Sequence, residues 1–185
     1  RHRGLALRDP GGAPTGVVGD APDLDGYAGH VRVLDLLPPG VADLLLLVGE
    51  SGTLAQSIDG GASWTRLASP YEGSYFGATA TPGGALLIFG MRGSLYRSAD
   101  QGVSWKKISL PTKLPFFGAV TRHDNSIVLT GGMGWLAISD DDGQSFRLKR
   151  AASRSVAGAF ERADGALVLY GEQGIRIVAA NMLKD

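Results

Sequence analysis

The sequence predicts an all-β fold built from repeated four-stranded antiparallel units, and three observations predict it. An octapeptide recurs at a fixed interval: Ser57-Ile-Asp-Gly-Gly-Ala-Ser-Trp64, Ser98-Ala-Asp-Gln-Gly-Val-Ser-Trp105 and Ser139-Asp-Asp-Asp-Gly-Gln-Ser-Phe146. The steps 98 − 57 and 139 − 98 are both 41 residues, a period that marks a repeat architecture. Short apolar runs ending in Gly-x-x-Gly precede each octapeptide, at Leu44–Gly52, Leu86–Gly93 and Ile127–Gly134, and a fourth, Leu167–Gly174, follows at nearly the same interval. Glycine and short turns punctuate every junction, and no stretch keeps a helical period.

The unit at 74–110 shows the elements in order. Tyr75–Thr81 reads as the first strand and Pro82-Gly-Gly84 as a turn. Ala85–Phe89 is continuously apolar, as a strand buried on both faces is. Gly90–Gly93 turns again. Ser94–Ala99 alternates as a half-exposed strand, Asp100-Gln-Gly102 makes the third turn, and Ser104–Leu110 is the outer strand. Upstream, Phe117–Thr121 and Val156–Phe160 match Phe76–Ala80, and Val31–Asp35 holds that place in the first unit. Four antiparallel strands in about 40 residues describe a β-propeller blade. A lone blade cannot bury both faces, so blades stack.

The expected blades run at about 29–68, 73–110, 115–150 and 155–180. The fourth stops after its third strand, its octapeptide reduced to Ala179-Ala180-Asn181. About four blades suit part of a larger propeller or a compact ring. Residues 1–28 hold a strand at Gly4–Arg8 and a linker rich in Gly, Pro and Asp. That strand either completes the outer edge of the last blade or ends an earlier one.

The octapeptide suits a corner. Asp59, Asp100 and Asp141 can accept backbone N–H bonds within their own turns, and Ser57, Ser98 and Ser139 can do the same from the preceding strand. Gly61, Gly102 and Gly143 supply the positive φ of a tight hairpin. Trp64, Trp105 and Phe146 bring apolar area to pack between sheets. Catalysis or metal binding is the competing use of these acids. One catalytic site does not need three equally spaced copies, whereas each blade needs a corner.

The pattern Ser-x-Asp-x-Gly-x-Ser-Trp/Phe resembles the Asp-box, or BNR repeat. The longer unit, ending Gly-x-x-Gly-x-Leu-x-x-Ser-x-Asp-x-Gly-x-Ser-Trp, resembles the photosystem II stability/assembly-factor-like propellers, which also occur in non-photosynthetic bacteria as exported proteins. Ser69-Pro-Tyr-Glu-Gly-Ser-Tyr-Phe-Gly77 strengthens that likeness, which covers about residues 29–178. The resemblance implies a non-catalytic protein-binding scaffold or assembly factor in the periplasm, or otherwise extracytoplasmic. It implies an arginine-rich patch that holds a client protein, itself extracytoplasmic or membrane-embedded. Arg92 is the only arginine in a Gly-x-x-Gly turn here, a departure from that pattern.

Composition removes several classes. The 185 residues carry 18 basic and 18 acidic side chains and no cysteine. A balanced charge does not make a phosphate-binding surface, so no nucleic acid is expected. Arg147, Lys149, Arg150 and Arg154 form the densest basic cluster and read as a solvated strand edge and loop. Thiol and disulfide chemistry are absent. No apolar run approaches the roughly 18 residues that span a bilayer, and no signal peptide opens the sequence.

No metal or cofactor is expected. His2, His30 and His123 share no ligand spacing. Asp140–Gly143 lacks the alternating register and closing Glu of a calcium loop. Gly131–Gly134 is a repeat turn without the helix of a dinucleotide site. Asp-boxes also occur in sialidases and other glycoside hydrolases. Most of those need two carboxylates flanking the bond, and sialidases need an arginine triad and a Tyr nucleophile paired with Glu. The sialidase Arg-Ile-Pro start motif is absent, and the acids mostly occupy turns or boxes, with Glu50, Glu72 and Glu172 the exceptions that a hydrolase could use. A purely architectural repeat segment is the third reading.

Strand direction sorts the loops into two ends. Inter-blade loops share an end with the Gly-x-x-Gly turns, opposite the octapeptide turns. That end collects Tyr71, Glu72, Tyr75, Arg92, Phe116, Trp135 and Glu172, the candidate partner-binding residues, beside Met91 and Met133. Aromatic, Met and Arg side chains are enriched in protein interfaces. Open blade edges also invite self-association.

Overall fold

The computed structural model describes residues 31–35, by their backbone, and 44–184. The strand expected at Gly4–Arg8, the linker to residue 28, and His2 and His30 lie outside the described residues. Four antiparallel sheets follow one another in chain order. Sheet 1 holds β1 (Val31–Asp35), β2 (Leu45–Gly49), β3 (Leu54–Ser57) and β4 (Thr65–Arg66). Sheet 2 holds β5 (Tyr75–Ala80), β6 (Leu86–Gly90), β7 (Leu95–Ser98) and β8 (Lys106–Lys107). Sheet 3 holds β9 (Phe116–Thr121), β10 (Ile127–Gly131), β11 (Trp135–Ser139) and β12 (Arg147–Arg150). Sheet 4 holds β13 (Val156–Glu161), β14 (Leu167–Gly171) and β15 (Gly174–Val178).

The core lies between the sheets. Leu46, Val48 and Leu54 of sheet 1 meet Leu86, Ile88 and Tyr96 of sheet 2. Leu87, Phe89 and Leu95 on the other side of sheet 2 meet Phe116, Ile127 and Leu129 of sheet 3. Val128, Leu136 and Ile138 of sheet 3 meet Val156, Leu167 and Leu169 of sheet 4. Consecutive residues of one strand thus feed two different clusters, which is why β6 and β10 are buried throughout and read as unbroken apolar runs.

Two expectations need correction. The outer strand expected at Ser104–Leu110 shrinks to Lys106–Lys107, extended by one bond from Ile108 N–H to the Leu95 carbonyl at 2.9 Å. The strand expected to be half exposed, β7, is buried except for a partly exposed Arg97, because sheets 1 and 3 cover both of its faces.

Each of β5, β9 and β13 carries a bulge near its start: the ladder skips Phe76, Phe117 and Ala157. Such bulges re-aim one side chain out of the pleat, and the Phe76 and Phe117 rings stack at 5.8 Å. In place of a fourth octapeptide the chain makes a 3-10 turn, Ala180–Leu183. Leu183 buries its side chain in the third cluster, and Arg147 Nη2 donates to its carbonyl at 2.8 Å.

Candidate functional site

The three octapeptide turns share one bonding scheme. Ser57, Ser98 and Ser139 donate through Oγ to Asp59, Asp100 and Asp141 at 2.7, 2.7 and 2.8 Å. Each of these hydroxyls accepts from the turn glycine, Gly61, Gly102 or Gly143, at 2.8, 2.8 and 2.9 Å. The carboxylates then accept the backbone N–H of Ser63, Ser104 and Ser145, each at 2.9 Å. Hydrogen bonds from Ser63 and Ser57 pull the Asp59 carboxyl down from 3.8 to about 2. Those from Ser104 and Ser98 bring Asp100 to about 2 as well. Partial burial works against Asp141, but Ser145 and Ser139 outweigh it and its pKa also falls. These acids spend their acceptor capacity on their own turns.

The same end of the molecule clamps neighbouring sheets. Asp142 pairs with Arg97 Nη2 at 2.7 Å and accepts the Gly83 N–H at 2.7 Å, joining sheets 2 and 3. Arg122 and Glu161, each with a 6% exposed side chain, pair at 3.2 Å between sheets 3 and 4. Glu161 also takes His123 Nδ1 at 2.7 Å. His123 therefore belongs to an inter-sheet clamp as well as a turn. Sequence reasoning missed both clamps, although an acid at position 142, where the other copies have Gly60 and Gln101, was a usable signal. Among the described residues no cluster of His, Cys, Asp and Glu has metal-holding geometry. No described helix is long and apolar enough to cross a membrane.

The opposite end is built from the Gly-x-x-Gly turns and the inter-sheet loops. Backbone bonds tie turn to loop: Gly52 N–H to the Gly73 carbonyl, Met91 to Ser74, Gly132 to Pro115 and Glu172 to Ser155. Three of these turns place a non-glycine residue at positive φ: Ser51 at 52°, Arg92 at 57° and Met133 at 53°. That conformation costs an L-residue about 1–2 kcal/mol, so the turn is held by its surroundings. Arg92, Met91 and Met133 are exposed there. Glu72 and Glu172 are also exposed, while Tyr71 and Trp135 are half-buried.

Tyr75 and Phe116, placed on this face by sequence, leave it. Phe116 packs under sheet 3 at 1% exposure, and Tyr75 is 3% exposed between sheets 1 and 2. The first residue of each inner strand points into the inter-sheet core because the bulge turns the second outward. The half-buried pair Phe76 and Phe117 stands near this end instead; the repeated Phe-Gly step was the available signal. Tyr75 edges onto Tyr71 at 5.9 Å, and its hydroxyl shares a hydrogen bond with Ser69 at 2.8 Å. Burial pushes its phenol up to about 12, opposite to what a tyrosine nucleophile needs. A cavity of about 450 Å³ beside it is lined by Ser51, Arg66, Tyr71 and Glu72, with Glu72 the one carboxylate in that lining.

The sheet order and stacking define this chain as a set of β-propeller blades. No protein-family model matches it, and no curated protein does. Among solved structures it is similar to an ancestral GH74 enzyme, with a TM-score of 0.69 at 16% identity over 83% of this chain and 23% of that one. It is similar to YCF48 bound to D1 peptide, with a TM-score of 0.57 at 19% identity over 76% of this chain and 47% of that one. The WD40 β-propeller domain of Doa1 follows at 0.61 and 10% identity, over 79% and 50% of the two chains. The chain spans half or less of each of these proteins, and likeness at this identity shows the fold.

Proposed function

We propose that this chain is the blade array of an extracytoplasmic, periplasmic protein-binding scaffold of the Asp-box, assembly-factor-like type. It holds a client protein on the end formed by the Gly-x-x-Gly turns and performs no catalysis. The observation that carries this reading is the contrast between the two ends. The acids of the octapeptide turns each accept at least three hydrogen bonds from the Ser side chains and backbone of their own turns. The other end presents Met91, Arg92 and Met133 on tight, held turns. Met adapts to varied apolar partners and Arg supplies directional donors. The likeness to a peptide-bound YCF48 supports the same reading.

Arg92, Glu72, Glu172, Tyr71 and Trp135 are the residues assigned to the client, with Met91 and Met133 beside them. The likeness to a GH74 enzyme keeps a glycoside hydrolase in view. The buried, raised phenol of Tyr75 and the single carboxylate of the cavity beside it weigh against a sialidase-type site there. A photo-crosslinker at Met133 should trap a client from bacterial envelopes, and one at the exposed Val103 of an octapeptide turn should not. Arg92→Glu should reduce the trapped client about tenfold or more. Trapping only from position 103, or turnover of glycosides abolished by replacing Glu72, overturns the reading. No trapped client from either position leaves an architectural repeat segment.

A further inference from the structure

Sulfur in this sequence is confined to three methionines, since cysteine is absent. All three side chains are exposed: Met91 at 38%, Met133 at 54% and Met182 at 58%. Methionine ordinarily fills cores, yet among the described residues the three inter-sheet clusters are packed without one. Oxidation of methionine therefore leaves the packing between these sheets untouched.

Two of the three stand in the Gly-x-x-Gly turns of neighbouring sheets, Gly90–Gly93 and Gly131–Gly134, on the end assigned above to a client. The matching turns of sheets 1 and 4 carry Glu50-Ser51 and Glu172-Gln173 at those places. Backbone bonds fix both methionine turns. Met91 N–H donates to the Ser74 carbonyl at 2.9 Å, and the Met91 carbonyl accepts from Ser94 N–H at 3.1 Å. Gly132 N–H, next to Met133, donates to the Pro115 carbonyl at 2.9 Å. The thioethers take no part in these bonds, so an oxygen added to sulfur alters the surface and not the turn.

We propose that Met91 and Met133 form a reversible oxidation site through which peroxide weakens client binding, an inference that rests on the scaffold reading above. The sulfur lone pair attacks one peroxide oxygen and the O–O bond breaks. An S–O bond forms, the sulfur gives up two electrons, and the second oxygen leaves as water after proton transfer. The product is a sulfoxide, which is polar and chiral. A flexible apolar side chain that adapts to its partner becomes one that needs a hydrogen-bond donor. Burying it in an interface without that donor carries the cost of any unpaired polar group. Met182 has the same chemistry but lies past the far end of β15, in the Ala180–Leu183 turn.

The full chain, carrying a photo-crosslinker at Glu72, is treated with hydrogen peroxide, and peptide mass mapping follows one added oxygen on each methionine. Sulfoxide at Met91 and Met133 should lower client capture from bacterial envelopes about tenfold or more, with thermal melting unchanged. Methionine sulfoxide reductases specific for the two epimers should restore capture. Met182→Leu should keep the sensitivity to peroxide. Met91→Leu with Met133→Leu should make whatever client is captured insensitive to it. Undiminished capture by a chain that holds both sulfoxides overturns the proposal and leaves the scaffold reading standing. So does a loss that the reductases do not reverse, a lowered melting temperature, or protection by Met182→Leu. No capture by the untreated chain overturns both.

Discussion

Sheets 3 and 4 carry the same central strand pair in the same register, yet one face of it has two fates. Val128, Leu136 and Ile138 correspond to Val168, Ile175 and Ile177, as the pairings Val128↔Ile138, Thr130↔Leu136, Val168↔Ile177 and Tyr170↔Ile175 show. In sheet 3 these residues are at most 1% exposed, because sheet 4 covers them. In sheet 4, Val168 stays 8% exposed, but Ile175 and Ile177 are 76% and 56% exposed, and Phe160 and Tyr170 beside them are 53% and 48% exposed. The apolar pattern specifies which face can pack. Burial depends on a neighbour, as expected where each repeat contacts only the next.

The sharpest way to break this equivalence is to truncate matched isoleucines. Ile138→Ala should cost about 2–5 kcal/mol, the range for emptying a packed core position. Ile177→Ala should stay below about 1 kcal/mol, as surface changes usually do. Denaturant unfolding of both variants checks this, and equal losses would mean that sheet 4 is covered in solution.

The matched turn glycines give a smaller contrast. Gly134 and Gly174 both sit at positive φ, 77° and 76°. A Cβ at Gly134 would collide with the backbone carbonyl of Ala152, whereas one at Gly174 meets nothing within 4 Å. Gly174→Ala should therefore cost only the left-handed penalty, about 1–2 kcal/mol. Gly134→Ala should cost about 1–3 kcal/mol more, because the Ala152 backbone must move. Thermal melting of the pair measures the difference.

The smallest effect contrasts octapeptide turns with the end that lacks one. Asp59 and Asp100 titrate near 2 in the folded chain, against an ordinary 3.8. A lowered folded pKa favours folding above the unfolded value, and that contribution is lost as pH falls from about 4 toward 2. Trp64 and Trp105, which close these two turns, should report loosening in that window by fluorescence. Asp59→Asn with Asp100→Asn should remove the pH step, while the Ala180–Leu183 turn has no such carboxylate to titrate.

Much of the fold was legible because repetition made it so. The equal spacing of Ser57, Ser98 and Ser139, and the runs ending at Gly52, Gly93, Gly134 and Gly174, located the strand units without any knowledge of contacts. The two-residue outer strands, Thr65–Arg66 and Lys106–Lys107, were not legible, because the alternation over Ser104–Leu110 does not mark where its ladder stops. The candidate face was legible only in part. Tyr75 and Phe116 carry interface-type side chains, but bulges at Phe76 and Phe117 decide which of two adjacent aromatics points outward, and nothing in an isolated Tyr-Phe or Phe-Phe step encodes that choice. The clamps at Asp142 and Glu161 join residues about 40–60 positions apart and carry no local pattern.

By itself the sequence determined the period, the strand type and the chemistry of the octapeptide corner, because these rest on local turn geometry and on alternation within single strands. Tertiary structure alone decided which apolar faces are buried and which aromatics reach the surface. The physical reason is that a sheet's second face, and its last edge, are completed by whatever packs beside it.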